Sequence, residues 1–464
     1  MKNHIARPDK SRNRTRSNNG GPNTNPTDRN TQIKLVEDVN LIQVHAAQRK
    51  ITSSPYSADL LEILLAASAS LLFSQNDGVL VWVLAVGNPS SDKTETVLGI
   101  SQAPEVYFLD TMTENSFITG YVKPDGSSPS DLLAELDNKC LLIKDLTSLF
   151  SMKDDVIKRV LGDLQSIYDG SFARFTGTRG RVEYSTRLSL FGCVTPMALS
   201  RHHRYIAEMG SRLLFYRVPS LNRKEQAKGL DIVWNSKRKK EKVQEFKKLA
   251  SSYLHKLLTS SPPEIKATDK QKKQINGLAT LLSRGRGVIR SARREFENDD
   301  GKIVSYYEIE ETQIEEPFRA TLQLKTLAQC LAFVHGRTQI TDHELEHLRR
   351  VVLSTMAVDR ASVLALFGDP TKLTDEGMLT TKLCAQGIGK SYGRAKQLLT
   401  ELTHLKILER IDDDPDGYEY SPFREFQDLI RKPVEPLDHI SDLDSNNTAR
   451  RDLRGLHKTP PRGG

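Results

Sequence analysis

Cysteine is scarce in this sequence, and the few that occur form no recognisable motif. Cys140, Cys193, Cys330 and Cys384 are scattered along the chain, and no two have the short spacing of a metal-binding site. Three of them lie inside apolar segments, which favours buried, reduced thiols. Reduced thiols are typical of cytoplasmic proteins, so we expect a cytoplasmic location.

Long apolar runs are missing as well. The longest, residues 60–73 and 79–86, are too short or too interrupted by Ser, Glu and Gly to span a bilayer. No apolar segment follows the basic residues of the N-terminus, so we do not expect a secretory signal. These absences predict a soluble protein with no membrane partner.

What the sequence does have is length, apolar residues and an uneven positive charge. Its 464 residues, of which 38% are hydrophobic, suit two or three domains. The first 30 residues contain seven basic and two acidic side chains and so carry +5 of the net charge of +8. This segment is also rich in Asn, Pro, Gly and Thr, which predicts a disordered basic tail at 1–32. A second basic cluster lies at 237–240, but such runs are more often solvated faces than nucleic-acid sites.

Alternating strand and helix patterns occupy the middle of the chain. Continuous apolar runs at 79–86, 106–109, 140–143 and 188–194 are typical of buried parallel strands, and helical patterns separate them. They predict a wound α/β domain over 77–220. The remaining predicted parts are a helical N-terminal segment at 33–76, a basic helical connector at 221–261, a helical lid at 262–365, a winged helix-turn-helix at 370–422 and a polar tail at 423–464. Within the lid, Thr341 to Glu344 has the form of a capping box that begins a helix.

A loop with the spacing of the Walker A motif, G-x-x-x-x-G-K-[ST], follows the first strand. Its residues are Gly87, Asn88, Pro89, Ser90, Ser91, Asp92, Lys93 and Thr94. Backbone amides and a helix N-terminus would bind the phosphates, Lys93 would reach the β- and γ-phosphates, and Thr94 would join the Mg²⁺ shell. The pattern predicts ATP and Mg²⁺ as ligands. The alternative is an ordinary strand–turn–helix with a chance Lys-Thr pair.

Asp92 stands where the motif has its second glycine. Asp tolerates left-handed backbone geometry better than most residues, so the loop can keep its shape. Its charge is less favourable, since a carboxylate about 4 Å from a phosphate charge costs roughly 1 kcal/mol in water-like surroundings and about 4 at an effective dielectric near 20. Lys93 and Mg²⁺ could offset this repulsion, or the side chain could turn outward.

Asp145 ends the apolar strand at 141–144 and has the Walker B form, in which the carboxylate holds Mg²⁺ through water. The next residue, commonly a Glu that activates the attacking water, is Leu146. Any buried strand can end in Asp, so this motif is weak by itself. Further along, the strand at 188–194 ends in Thr195, Ser211-Arg212 follows, and Arg319 precedes an apolar helix that begins near Ala320.

In this order the motifs resemble the AAA+ ATPases of the minichromosome-maintenance type. The resemblance covers roughly residues 79 to 420 and is closest to divergent relatives in phages and mobile elements, including self-loading replicative helicases. It implies a homo-oligomeric ring in which Arg212 acts as an arginine finger at a neighbour's site. It also implies Thr195 as sensor 1 and Arg319 as sensor 2. The plain alternative for each is a surface arginine or a strand-end hydroxyl.

Two segments are candidates for DNA contact. Residues 171–184 alternate around a Gly-Thr-Arg-Gly turn and predict a hairpin with Arg179 and Arg181 at its tip. In the resembled family such a hairpin projects into the ring channel. In the predicted winged helix, Met378 to Ala385 would be the first helix, and Ser391 would cap a second helix with Tyr392, Arg394 and Lys396 outward. A solvated hairpin and a protein-binding winged helix are the alternatives, and the acidic predicted wing tip disfavours wing–DNA contact.

Three hypotheses follow. The chain could be a DNA-dependent ATPase, such as a helicase-like replication protein of a phage or mobile element. It could bind nucleotide with weak or no hydrolysis and act as a loader or regulator, as Asp92 and Leu146 suggest. It could also be a DNA-binding regulator with a decayed phosphate loop, although the intact Lys93, Thr94 and Arg212 argue against that.

Overall fold

The structure is a computed structural model, and it describes residues 35–52, 54–75, 78–113, 116–118, 131–200, 212–235, 237, 239–297, 301, 303–414 and 417–433. The strands are β1 Trp82–Val86, β2 Val106–Leu109, β3 Lys139–Ile143, β4 Ser171–Thr176, β5 Gly180–Ser185, β6 Leu188–Val194, β7 Leu213–Arg217, β8 Val288–Glu297, β9 Ile303–Gln313, β10 Leu379–Thr380, β11 Leu408–Asp414 and β12 Gly417–Pro422. The predicted tail at 1–32, most of the polar tail, and Gly210 and Ser211 lie outside the described residues.

The helices of the described residues run between and around these strands. They are α1 Leu41–Arg49, α2 Ser57–Phe73, α3 Lys93–Val97, α4 Leu132–Glu135, α5 Thr147–Phe150, α6 Asp154–Tyr168, α7 Pro196–Ser200, α8 Arg223–Asn235, α9 Lys239–Leu258, α10 Asp269–Gly285, α11 Phe318–Val334, α12 Asp342–Thr355, α13 Val358–Leu366, α14 Thr381–Ile388, α15 Tyr392–His404 and α16 Gln427–Ile430. None of them is both long and apolar enough to cross a membrane.

A parallel five-stranded sheet with the order β2-β3-β6-β1-β7 lies at the centre. Alternate residues of β1 enter two different cores. Val83 and Ala85 pack with α2 on one face, while Trp82 and Leu84 pack with α6 on the other. Because both faces are covered, β1 is apolar along its whole length. The predicted α/β architecture is therefore confirmed at the level of a helix-covered parallel sheet.

Helix starts follow the expected capping chemistry. The Thr341 hydroxyl accepts a hydrogen bond from the backbone of α12, and the Glu344 carboxylate accepts one from the Thr341 amide. This is the predicted capping box. Asn40 and Gln43 form the same arrangement at the start of α1. The predicted helical segment at 33–76 corresponds to α1 and α2 within the described residues.

One part of the predicted helical lid is wrong. Residues 288–313 form β8 and β9, which pair in a long antiparallel hairpin. Its side chains are largely exposed and charged, with cross-strand ion pairs from Arg290 to Glu311 (3.0 Å) and from Arg294 to Glu308 (2.8 Å). These strands lack the apolar alternation by which a half-buried strand is recognised, so the sequence analysis missed them.

The segment predicted as a winged helix contains two helices and a three-stranded antiparallel sheet, β10-β12-β11. The first helix begins at Thr381 rather than at Met378, because Leu379 and Thr380 pair with β12 and the Thr380 hydroxyl caps the helix. Gly389 ends this helix with a left-handed φ of 64°, and Ser391 caps α15 as predicted. Pro415 and Asp416 of the predicted wing tip lie outside the described residues.

Candidate functional site

The loop at 87–94 leaves the carboxyl end of β1, between β6 and β7. Gly87 N donates to the Val194 carbonyl at the end of β6 (3.2 Å), and Val218 N donates to the Val86 carbonyl (2.8 Å). After β1 the chain continues to β2, which lies at one edge of the sheet. Strand β7 lies next to β1 at the opposite edge. A change of direction of this kind opens a crevice at the carboxyl ends of parallel strands, where ligands of open α/β sheets bind.

The loop backbone is left-handed at two non-glycine residues. Ser90 has φ of 62° and Asp92 has φ of 59°. The expectation that Asp92 takes over the left-handed geometry of the replaced glycine is confirmed. Gly87 is required by space, because a Cβ there would lie 2.8 Å from Ser91 Oγ. That hydroxyl is buried and has no hydrogen-bond partner among the described residues. A polar atom left in this state is suited to a ligand that completes the loop.

Lys93 begins α3 with its side chain directed back into the loop. Only 7% of the residue is exposed, and Nζ donates to the Asn88 carbonyl (2.9 Å). Burial lowers the pKa of its ammonium group, and the nearby Asp145 carboxylate opposes this shift. A buried ammonium that is held by a carbonyl oxygen favours a nearby anion.

Thr94 and Asp145 lie beside Lys93. The Thr94 hydroxyl and the Cys193 thiol are in hydrogen-bond contact, and Lys93 and Asp145 both act electrostatically on that thiol. Burial raises the pKa of Cys193 to about 12. The exposed Asp145 carboxylate accepts from Thr147 N (2.7 Å). The structure therefore brings together three of the predicted residues from the ends of β1 and β3. Thr195 follows β6 directly, two residues after Cys193 in the sequence, and is half-buried.

Leu146 occupies the position at which the Walker B pattern commonly has a catalytic Glu. Its side chain is buried and packs over Gly192, where a Cβ would come within 2.6 Å of Leu146 Cδ1. Its amide donates to the Cys193 carbonyl (2.8 Å). The residue after Asp145 is thus part of the core and presents no acid–base group.

Arg212 and Arg319 are not at this edge of the sheet. Arg212 immediately precedes β7, whose Leu213 pairs with Trp82 at the start of β1. Its guanidinium lies over the Tyr168 ring, with 5.9 Å between Cζ and the ring centroid, and bonds to Asp169. Arg319 also acts on Tyr168 electrostatically. Both arginines therefore lie near the amino ends of the strands, away from the loop of their own chain.

Arg217 is a site residue that the sequence analysis missed. It ends β7 and pairs in the ladder with Val86, next to the loop. Its guanidinium donates to the carbonyls of Ser354 (2.7 Å) and Met356 (3.3 Å), and burial lowers its pKa to about 10. No carboxylate pairs with it within the described part of the chain. The rule that parallel strands converge at their carboxyl ends could have identified it.

A cavity of about 390 Å³ borders Arg217. Its charged lining residues are Arg217, Arg286, Asp359, Arg360, Arg394 and Glu401. Arg360 bonds to Glu401 (3.2 Å) and Arg394 to Asp359 (2.7 Å), while Arg286 pairs with Glu315 (3.2 Å). Guanidinium groups outnumber carboxylates in the lining, so the cavity suits an anionic group.

The predicted hairpin is formed by β4 and β5, but its two arginines differ. Arg179 donates from Nη1 to both oxygens of the buried Asp131 (2.9 and 2.7 Å), and only 15% of its side chain is exposed. Arg181 is 71% exposed and contacts the similarly exposed Glu183 (2.9 Å). Arg179 is therefore engaged within the fold, whereas Arg181 is accessible.

On α15, Tyr392 and Lys396 are exposed. Arg394 is half-buried, because its Nη2 donates to Asp359 (2.7 Å) and its Nη1 to Gln397 (2.9 Å). The helix thus presents two of its three predicted contact residues freely to solvent.

No model of a known protein family matches the chain. A search of curated protein sequences also finds no match.

Proposed function

We propose that this chain is a P-loop protein of the AAA+ type that binds ATP with Mg²⁺ and acts on DNA as a helicase-like replication ATPase of a phage or mobile element. The observation that carries the proposal is the position of Lys93. Its buried ammonium is bonded to the Asn88 carbonyl inside the loop at 87–94, and Thr94 and Asp145 lie beside it.

The residues of this edge fit the proposed ligand. The unpartnered Ser91 hydroxyl and the backbone amides of the loop are suited to phosphate oxygens. Lys93 would neutralise the β- and γ-phosphates, and the oxygens of Thr94 and Asp145 are the hard ligands that Mg²⁺ prefers. The bound metal would withdraw charge from the phosphates. Arg217 would add a cation at the neighbouring strand end.

A second candidate function is nucleotide binding with weak or no hydrolysis, as in a loader or regulator. The observation that favours it is the burial of Leu146, which leaves the position after Asp145 without a group to orient the attacking water. A DNA-binding regulator with a decayed loop is the third hypothesis. The convergence of Lys93, Thr94 and Asp145 supports the first two hypotheses over this one.

The DNA part of the proposal depends on shape and charge. The β4–β5 hairpin exposes Arg181 before β6, and α15 exposes Tyr392 and Lys396 in a helix–turn–helix followed by a two-stranded hairpin. This is the arrangement expected of a winged helix. A ring of identical subunits would place Arg212 of one chain near the loop of another.

Titration calorimetry with ATP and Mg²⁺, followed by ATPase assays with and without single-stranded DNA, tests the proposal. Lys93→Ala should abolish nucleotide binding, while Lys272→Ala, a change of an exposed lysine on α10, should not. The absence of nucleotide affinity in the unaltered protein would refute this function. Binding without DNA-stimulated turnover would favour the loader or regulator.

A further inference from the structure

The start of α12 carries a motif that the sequence analysis interpreted only as a helix cap. His343, Glu344, Leu345, Glu346 and His347 form the sequence H-E-x-x-H. Histidines four residues apart lie on one face of a helix and can bind the same metal ion. Both histidines are buried here, and they face the interior of the helical layer.

Two further side chains, one from α2 and one that follows α11, lie beside these histidines. Glu62 of α2 places Oε2 at 2.9 Å from His347 Nε2 and at 3.1 Å from His335 Nε2. The rings of His335 and His343 have centroids 4.7 Å apart, and those of His343 and His347 lie 4.9 Å apart. Glu62, His343 and His347 thus form one compact group of candidate ligands, and His335 joins it through the same Glu62 oxygen.

A second layer of contacts orients two members of this group, His335 and Glu62. His335 Nδ1 lies 3.1 Å from Glu344 Oε1, so its Nε2 is directed to Glu62. His45 Nε2 lies 2.8 Å from Glu62 Oε1, which leaves the other oxygen, Oε2, to the two histidines. Metal-binding histidines commonly have their second nitrogen bonded to a carboxylate, and metal-binding carboxylates are themselves held in place.

We propose that Glu62, His335, His343 and His347 bind one divalent transition-metal ion, with zinc the best match. Imidazole nitrogens and a carboxylate oxygen are zinc ligands, and four protein ligands with no open position are typical of a structural site. Candidate ligand atoms of Glu62, His343 and His347 lie within 4.8 Å of one another. A tetrahedral zinc at about 2.0–2.1 Å from its ligands needs them roughly 3.4 Å apart, so metal binding would require small rotations of these side chains.

The site is not that of a metalloprotease, although the motif is shared. Glu344, the position of the general base in such enzymes, accepts from both the amide and the hydroxyl of Thr341 and is bonded to Arg337. It is also completely buried. Its carboxylate therefore caps the helix and orients His335, and the cluster has neither a free base nor exposure to a peptide.

The position of the metal gives it a structural role. Glu62 and His347 are 285 residues apart in the sequence. Helix α2 packs on the central sheet and on α11, while α12 packs along β7. A metal ion between them would link the segment that precedes the phosphate loop to the helices that follow the β8–β9 hairpin. This inference is independent of the proposed nucleotide site.

The direct test is metal analysis of the full chain, purified without a histidine tag. Elemental analysis by plasma mass spectrometry should find about one zinc per chain. Unfolding with chelator and refolding without metal should lower the thermal midpoint by about 5 °C or more, and added Zn²⁺ should restore it. Refolding with Co²⁺ should give the visible absorption of a tetrahedral cobalt site.

Variants then assign the ligands. His343→Ala and His347→Ala should each lose the metal, whereas His404→Ala, which changes an exposed histidine at the end of α15, should keep it. Because the alanine variants could fail to fold, His347→Cys provides an independent signal. A cysteine ligand should add a thiolate-to-cobalt charge-transfer band in the near ultraviolet. A native protein that takes up neither Zn²⁺ nor Co²⁺ would overturn the proposal. Metal that is retained by both folded alanine variants would do the same.

Discussion

Arg212 and Asp169 form a two-point ion pair at the amino edge of the central sheet. Nε lies 3.0 Å from Oδ1, and Nη2 lies 2.6 Å from Oδ2. About half of the Asp169 side chain remains exposed, so the pair lies at the surface. In the proposed ring, a phosphate of the neighbouring subunit would compete with Asp169 for the Arg212 guanidinium. The ion pair would therefore oppose nucleotide-dependent assembly of that ring.

Replacing Arg212 should separate nucleotide binding from turnover. Arg212→Ala should leave ATP affinity unchanged and lower the hydrolysis rate about 10³-fold, the contribution typical of an arginine finger. Asp169→Asn is the matched control, because it removes the negative charge that holds Arg212 and should not lower the rate. Assembly should be measured with and without ATP by light scattering. A protein that stays monomeric with ATP and DNA yet keeps full turnover would contradict the ring.

Replacing Asp92 should tighten nucleotide binding, and two variants separate charge from backbone. Asn tolerates the left-handed geometry of this position and removes the carboxylate, while Gly also removes the steric cost. A nearby phosphate charge is worth roughly 1–4 kcal/mol, so Asp92→Asn should improve affinity at least about fivefold. Asp92→Ala, which keeps a Cβ in a left-handed residue, should gain less. Calorimetry on all three variants would show affinity unchanged or weaker if the Asp92 carboxylate has a favourable role.

Asp92 and Arg212 differ in how much of their structural role can be predicted from the sequence. The loop, its left-handed residue and the neighbouring Asp145 were predicted because each belongs to a continuous segment or ends an apolar strand. The partners of Arg212 and Arg179 were not, since Asp169 and Asp131 are brought to them only by the fold. The charged β8–β9 hairpin was not predicted as strands, because its exposed strands lack apolar alternation. The cluster around Glu62 joins residues as far as 285 positions apart, and only its H-E-x-x-H half is visible in the sequence.

The cysteines should be unreactive in the native protein. All four are buried and free, and burial raises the pKa of each thiol, to about 12 for Cys193 and about 11 for Cys384. Since only the thiolate reacts, a thiol-specific reagent at pH 8 should label native protein slowly and label four thiols after unfolding. Labelling of even one thiol in the native protein at the unfolded rate would contradict this burial.

The same shifts predict a loss of stability in alkali. A thiol whose pKa is higher in the folded state stabilises the fold fully below the unfolded value and loses that contribution as the pH rises through the folded value. For Cys193 this window runs from the ordinary value of 9.0 to about 12. Denaturant midpoints measured across this range should fall less steeply in Cys193→Ala than in the unaltered protein. Parallel slopes would show that Cys193 ionises equally in both states.

The two arginines of the β4–β5 hairpin should have different effects on DNA binding and stability. Arg181 is exposed, so Arg181→Ala should lower DNA affinity for all sequences alike and reduce the salt slope by about one unit, with no change in the thermal midpoint.

Arg179→Ala should instead lower the midpoint, because the buried Asp131 carboxylate loses two bonds. Arg179→Lys keeps the charge but not the planar guanidinium and should be intermediate. The basic N-terminal tail could bind DNA unaided, so affinities must be measured on a chain that starts at Thr31. If that chain has no DNA affinity at low salt, the tail accounts for all binding, and the hairpin is a structural element of a nucleotide-regulated protein.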